Sequence, residues 1–285
     1  MILRLWTFWM NRVVCYEGST RAVSLMRILL AILLWTRWAR ELLPWKSMEP
    51  ERLVLSVAFY GFTTLMLYGL WTRLAMIGSS VTLLFVYYYF GFIVGVEPWT
   101  HHHTYILMAS TCLLTFTPCG GSYSVDRYLE VRRAERKGLM PPPERGPLWG
   151  TRLIALQVSA LYFWTAYDKT FWGFLSGERL EQVFMYLFFG SDHPGWWFTW
   201  FCILSAWITI ILEYVLPIAL WFKKMRWWAV PVGLTLHALF YYLTAVGTYT
   251  LTMWMLYLVF FDPDDVHRLI DRISGHSTAS PKAVE

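Results

Sequence analysis

The stretch YFWTAYDKTFW, Tyr162 to Trp172, sets an aspartate beside a lysine in a run of aromatics that otherwise reads as membrane helix. Followed back to Arg152, the run is long enough to cross a bilayer core, which takes about 20 mainly apolar residues. Similar runs follow one another almost without pause along the 285 residues, and little is left over for a soluble domain. The chain is 57% hydrophobic and 15% charged, with 18 Trp, 17 Tyr and 19 Phe. That balance points to a polytopic protein whose aromatics gather at the membrane–water interfaces.

The apolar runs predict an all-α, polytopic membrane helical bundle of about eight transmembrane helices, near 21–38, 53–71, 74–95, 101–118, 152–172, 197–222, 227–245 and 246–261. The opening MILRLWTFWMNRVV is basic and aromatic and has no small-residue cleavage site, so it reads as an N-terminal interfacial helix and not a signal peptide. Segment 178–190 is charged at its start and too short to cross, which suits an interfacial or re-entrant piece. SVDRYLEVRRAERKG, residues 124–138, reads as an amphipathic surface helix. The division expected is a transmembrane domain over 1–262 and a short tail over 263–285.

Orientation follows from the basic residues. The loop from Cys119 to Thr151 carries Arg127, Arg132, Arg133, Arg136, Lys137 and Arg145, and Arg73, Lys223, Lys224 and Arg226 sit in two other turns. Placing all of these in the cytoplasm puts both termini there too, and turns VEPWTHHHTY (96–105), residues 173–196 and the connection near Gly247 outward. The net charge of +5 is accounted for by these loops, and no basic stripe interleaved with stacking aromatics suggests nucleic acid. The bilayer is the partner the composition demands. Cys15, Cys112, Cys119 and Cys202 show no C-x-x-C spacing, so they signal neither a zinc site nor a disulfide framework.

Against that frame a few polar residues stand out. From Arg152 at the inner boundary, a rise of about 1.5 Å per residue carries Lys169 roughly 25 Å, close to the outer edge of the core. A lysine there can snorkel to the headgroups, with Trp172 as anchor. It also shares a helix face with Tyr162, Thr165 and Ala166, while Asp168 points elsewhere. A lysine held in a dry pocket on that face is available as a neutral base. His101, His102 and His103 are successive on a helix and about 100° apart, so they do not converge on one metal, and no metal is expected. Glu213 and His237 lie deep in the sixth and seventh runs and should face the bundle interior, where Arg27 of the first run is a candidate partner for either. Gly91 to Gly95, GFIVG, is a small-xxx-small packing pattern.

Taken in order, the Arg-containing first run, HHTYILMASTCLLTF, YSVDRYL, LQVSALYFWTAYDKTFWGFLSGERLE, LEYVLPIAL and LHALFYYLTAVGTYTLTMWMLYLVFF resemble the HTTM family over nearly the whole chain. Its best-known member is the vitamin K-dependent gamma-glutamyl carboxylase. There the lysine of a Y-F-x-x-x-x-x-K segment is the base that initiates oxygenation of reduced vitamin K, and the resemblance assigns that place to Lys169. The histidine of an H-[ST]-Y motif acts beside the glutamyl carbanion, and its match is His103. Tyr162, Asp168, Glu213, His237 and Arg27 would be supporting polar residues. The resemblance thus implies quinone-dependent oxygenation or carboxylation at the outer face of a bacterial inner membrane, with a reduced naphthoquinone as cofactor.

The carboxylase has a lysine immediately before its catalytic one, where this chain has Asp168. The sequence also stops shortly after LVFFDPDD, where the carboxylase continues into a large substrate-binding domain, so carboxylation of a protein is not expected. Two alternatives stay open. One is a non-enzymatic HTTM-like subunit that packs against other membrane subunits; the other is an accessory protein for maturation of a small secreted peptide.

Overall fold

The computed structural model describes residues 16–44, 49–95, 102–244 and 247–275. The expected N-terminal interfacial helix lies in residues 1–15, outside them. The described residues are overwhelmingly helical and fall into two compact units: residues up to Ile154 together with those from Phe261 onward, and residues Ala155–Phe260.

The first unit holds α1 (Arg21–Trp38), α2 (Pro50–Tyr68), α3 (Thr72–Tyr88, prolonged by a π turn over Tyr89–Ile93), α4 (His102–Leu114) and α5 (Val125–Arg136). Residues Trp149 to Ile154 of α6 (Trp149–Lys169) also belong to it. Ser56, Phe59, Thr63 and Met66 line one buried face of α2 at three- and four-residue steps, and Val54 and Val57 face out. α2 begins on a proline, whose missing N–H costs nothing at that position, and stops at Gly69, whose φ of 65° closes the last turn. Asp126 then caps α3 from the distant α5: its carboxylate accepts from Trp71 N (2.9 Å), Thr72 N (2.7 Å) and Thr72 Oγ1 (2.8 Å). Free amides at a helix start attract an anion, and here the anion comes from another helix.

Arg27 is fully buried in α1, and its partners are carbonyls. Nε donates to Cys119 O (3.0 Å), Nη1 to Met66 O (2.5 Å) and Leu67 O (3.1 Å), and Nη2 to Tyr123 O (2.6 Å). Those of Met66 and Leu67 belong to the last turn of α2, where carbonyls run short of intrahelical donors and the helix dipole favours a cation; Met66 O also accepts from Gly69 N at 3.3 Å. The expected pairing of Arg27 with Glu213 or His237 is therefore replaced by a joint that ties α1 to the end of α2 and to the loop after α4.

Two further features go beyond the helical pattern. Strands β1 (Glu17–Ser19) and β2 (Arg145–Pro147) pair antiparallel, with Gly18 opposite Gly146. Residues expected as a tail instead form α12 (Pro263–Ile273), capped by Asp262 and docked on α1 and β1. Asp264 accepts from Ser19 N (3.2 Å) and Arg145 (2.8 Å), His267 Nδ1 meets Ser19 Oγ at 2.7 Å, and Arg21 bridges Glu144 (2.7 Å) and Asp271. The start of α1, the α2–α3 turn, the α4–α6 connection and α12 thus gather at one end of this unit. The charge distribution had assigned the first three to a common side.

The second unit comprises the rest of α6, the short α7 (Trp172–Leu175), α8 (Glu178–Phe184, continued by a π turn over Met185–Phe189), α9 (Trp196–Ala219), α10 (Arg226–Thr244) and α11 (Gly247–Leu256), which ends in a 3-10 turn over Tyr257–Phe260. Segment 178–190, expected as an interfacial or re-entrant piece, is helical over Glu178–Phe184 and continues in the π turn Met185–Phe189. Gly177, at φ 79°, lets the α7–α8 turn approach the α9 backbone, since a Cβ there would stand 2.6 Å from Ile203 N. Phe174 packs on Ala206 and Ile210 of α9, and Phe184 on Phe198 and Cys202.

Two helical stretches are long and apolar enough to cross a membrane by themselves, Thr72–Ile93 and Trp196–Ala219. Of the other expected spans, α1 carries Arg21, Arg27 and Arg37, α6 carries Arg152, Asp168 and Lys169, and α11 is ten residues long, all of which lower length or mean hydropathy.

Candidate functional site

The buried face of α9 reads Cys202, Ala206, Ile210, Glu213, Leu216 and Pro217, a line at helical spacing in which small residues precede one carboxylate. Small side chains allow a neighbouring helix to come close. On α6, Tyr162 and Ala166 are buried and Lys169 is half-buried, whereas Phe163, Trp164, Tyr167 and Asp168 are exposed. The face expected from the sequence is the one that turns inward, and Asp168 does point away from it.

The two faces meet through charge. Lys169 Nζ donates to both carboxylate oxygens of Glu213, at 2.6 and 2.8 Å. Glu213 has a side-chain exposure of 3% and Lys169 of 27%, so the carboxylate is sealed in while the ammonium keeps a path outward. Phe240 of α10 lies under the ammonium, its ring centre 5.9 Å from Nζ, within the range of a cation–π contact. Snorkelling alone does not describe this lysine; its head is held by an acid on the next helix.

Two turns earlier on the same α6 face, the Tyr162 hydroxyl lies 2.7 Å from His237 Nε2 and also bonds the Tyr257 hydroxyl. His237 is 1% exposed, and its Nδ1 has no hydrogen-bond partner among the described residues. Thr250 Oγ1 donates to the His237 carbonyl (2.9 Å), and the rings of Phe240, Tyr249 and Tyr257 stand edge-on around the imidazole at 5.6 to 6.2 Å between centres. Gly233, one turn before His237, leaves room for the Tyr257 hydroxyl, which a Cβ would meet.

A family model for the HTTM domain matches residues 24–264. The chain belongs to the HTTM family. No curated protein and no solved structure matches it. The HTTM match runs from α1 to the start of α12 and takes in Arg27, Lys169, Glu213 and His237.

Within this HTTM domain, four of the residues singled out from sequence, Tyr162, Lys169, Glu213 and His237, converge in the second unit. Asp168 and Arg27 do not join them; Asp168 is exposed and Arg27 is held by backbone carbonyls of the first unit. The side chain of His103 lies outside the described residues, as do those of His101 and His102. Tyr257 was missed, although it is a hydroxyl-bearing residue in the apolar run LTMWMLYLVFF, and such a group inside an apolar helix needs a partner. The pairing of Lys169 with Glu213 was missed as well. Their opposite signs were the available signal, but the expected spans set them at different depths, Lys169 near the outer edge and Glu213 deep in its run. Among the described residues no group of three or more His, Cys, Asp or Glu side chains is placed to hold a metal.

Proposed function

We propose that this HTTM protein is a polytopic membrane enzyme of the vitamin K-dependent carboxylase-like kind, acting with a reduced naphthoquinone and using Lys169 as base. The observation that carries the reading is the Lys169–Glu213 pair beside a buried histidine, one ring nitrogen of which has no hydrogen-bond partner among the described residues. Ionisable groups at membrane depth are costly and are kept where they move protons or hold ligands. The residues fit a quinone: aromatic walls suit its ring, and His237 Nδ1 and Lys169 Nζ offer polar points near its oxygens. A bound reduced naphthoquinone would supply the electrons that dioxygen consumes.

The chain's own part is proton handling. With the shared proton moved onto Glu213, Lys169 Nζ would carry a lone pair and take a proton from a bound hydroxyl; the pair then holds one proton more than before, and the salt bridge returns when that proton leaves to solvent along the exposed side of Lys169. His103, at the start of α4, takes the second role by family resemblance. Exposed apolar side chains along α2, α3 and α9, among them Val54, Phe85, Phe92, Trp200, Leu204 and Ile211, fit a lipid-facing surface; eight spans, cytoplasmic termini and an outward site belong to the same reading and rest on the apolar runs and the basic loops of the sequence.

The test is incubation of purified protein with reduced naphthoquinone under oxygen and mass-spectrometric detection of the quinone epoxide. Epoxide that disappears in Lys169→Ala establishes the base; folded, quinone-loaded protein that yields none refutes the enzyme. A second reading, a non-enzymatic HTTM subunit of a larger membrane complex, is favoured by the closed state of the pair, since a carboxylate taken up by a bidentate lysine is already satisfied. Stable copurification with other membrane proteins would support it.

A further inference from the structure

We infer that His237 is a ligand-binding residue whose Nδ1–H donates to an acceptor oxygen of a small molecule within the second unit. The inference comes from counting protons. Tyr162 is hydrogen-bonded on one side to His237 Nε2 and on the other to Tyr257, and neither His237 nor Tyr257 has another side-chain partner among the described residues.

Three arrangements satisfy both bonds. In one, Nε2–H and the Tyr257 hydroxyl both donate to the Tyr162 oxygen, which leaves the Tyr162 proton and Nδ1 unpaired. In another, Nε2 again carries the imidazole proton and donates to Tyr162, Tyr162 donates to Tyr257, and the Tyr257 proton is left with no acceptor while Nδ1 is left as an unpaired acceptor. If instead Tyr257 donates to Tyr162 and Tyr162 to Nε2, both hydroxyl protons are used and the imidazole proton must sit on Nδ1. Both arrangements with the proton on Nε2 leave two buried groups unpaired and the one with the proton on Nδ1 leaves one, and each such group costs about 1–3 kcal/mol. The tyrosine pair therefore sets the tautomer, in the way that a partner on one ring nitrogen decides the state of the other.

What remains is a single N–H, buried on a residue 1% exposed and ringed by the edges of Phe240, Tyr249 and Tyr257. A donor cannot be completed by another donor, so its complement is a carbonyl or oxyanion oxygen; the aromatic surroundings select a flat, largely apolar carrier of that oxygen. The inference rests on the quinone reading only for the probe, not for the tautomer.

The test uses full-length protein in detergent, labelled with 15N-histidine, and 2-methyl-1,4-naphthoquinone, whose carbonyls are acceptors. His237→Asn identifies the resonance and keeps an amide N–H near the Nδ1 position; His237→Gln carries its amide out to the Nε2 position, where its oxygen accepts from Tyr162, and loses the donor at Nδ1. The expected result is an Nδ1–H tautomer in the wild type that reverts toward Nε2–H in Tyr162→Phe, and an Nδ1 resonance that shifts as quinone is added. Affinity from tryptophan quenching should fall about two- to tenfold in His237→Gln, the value of one neutral hydrogen bond, and stay near wild type in His237→Asn. An Nε2–H tautomer in the wild type overturns the inference. Binding that leaves His237 unmoved overturns it while sparing the quinone reading. No binding at all removes the quinone reading, and with it the ligand class named here.

Discussion

Removing Lys169 and removing Glu213 should not cost the same, because the two ends of the pair are unequally buried. In Lys169→Met the carboxylate of Glu213, 3% exposed, loses both of its hydrogen bonds and has no route to water. Leaving a buried charge unpaired costs about 3–5 kcal/mol. Glu213 can escape that cost by taking up a proton, and from a reference carboxyl value of about 4.3, protonation at pH 7 costs about 3.7 kcal/mol at 1.36 kcal/mol per pH unit. The penalty should therefore sit near that ceiling at neutral pH. The sign follows: the folded variant holds a proton that the unfolded chain has released, so stability rises as pH falls toward the unfolded carboxyl value, by about 2 kcal/mol between pH 7.0 and 5.5. Glu213→Gln leaves Lys169, 27% exposed, free to swing its head outward, and should cost about 1–2 kcal/mol with little dependence on pH. Lys169→Met/Glu213→Leu, with neither charge, should recover to within about 1 kcal/mol of wild type. Thermal unfolding in detergent, followed by intrinsic tryptophan fluorescence at the two pH values, measures all three. Equal, pH-independent losses in the single variants with an additive double variant would show that the pair carries no coupling and would remove the basis for a shared proton.

Other consequences lie in the first unit and at the α7–α9 contact. Asp126→Ala strips the cap from Trp71 N, Thr72 N and Thr72 Oγ1 and should lower stability by about 1–2 kcal/mol, read from the melting curve, with Asp126→Asn recovering part of it. Arg27→Lys should cost about 3 kcal/mol or more and reduce the yield of folded protein in size-exclusion profiles, because a point ammonium cannot reproduce the fork that serves Cys119, Met66, Leu67 and Tyr123. Gly177→Ala puts a Cβ 2.6 Å from Ile203 N at a φ of 79°, and should destabilise by at least about 2 kcal/mol, checked by protease sensitivity after Ser176. Burial pushes the Cys119 thiol up to about 11. At pH 8 about one thiol in a thousand is then ionised, so iodoacetamide should label Cys119 far more slowly in folded than in unfolded protein, with the rate climbing tenfold per pH unit up to that value.

Helix periodicity made most of this architecture legible, and it did so for a physical reason. A helix satisfies its own backbone, so the bounds of an apolar run can be the bounds of a helix; α1 occupies 21–38 as read, while α5, a charged stretch, was legible by its amphipathic pattern and starts one residue after the Ser124 that caps it. The features that escaped are those without a period. β1 and β2 are three residues each, too short for alternation to show, and Gly18 and Gly146 leave room there for Pro263 and Pro118, which are distant in the chain. α12 is strongly two-sided in its own sequence, but its docking depends on Ser19, Arg21 and Arg145, which are distant in the chain.

The same limit divides the candidate site. Spacing on α6 separated Lys169 from Asp168 correctly, because neighbours on a helix differ by about 100° and only one of two adjacent charges can face inward. It could not say what Lys169 faces, since that depends on the rotation of α9, which is set by tertiary packing of residues such as Cys202, Ala206, Ile210 and Tyr214. Energetics offers what periodicity does not. A buried carboxylate and a nearby lysine are each several kcal/mol out of place alone, so in a chain with 15% charged residues the deep ones of opposite sign should be sought as pairs before either is assigned a role. Applied to the second unit, that rule joins Lys169 to Glu213 directly. It leaves His237 as the deep titratable group of the cluster without a charged partner, and hydroxyls rather than charges are what the structure sets around it.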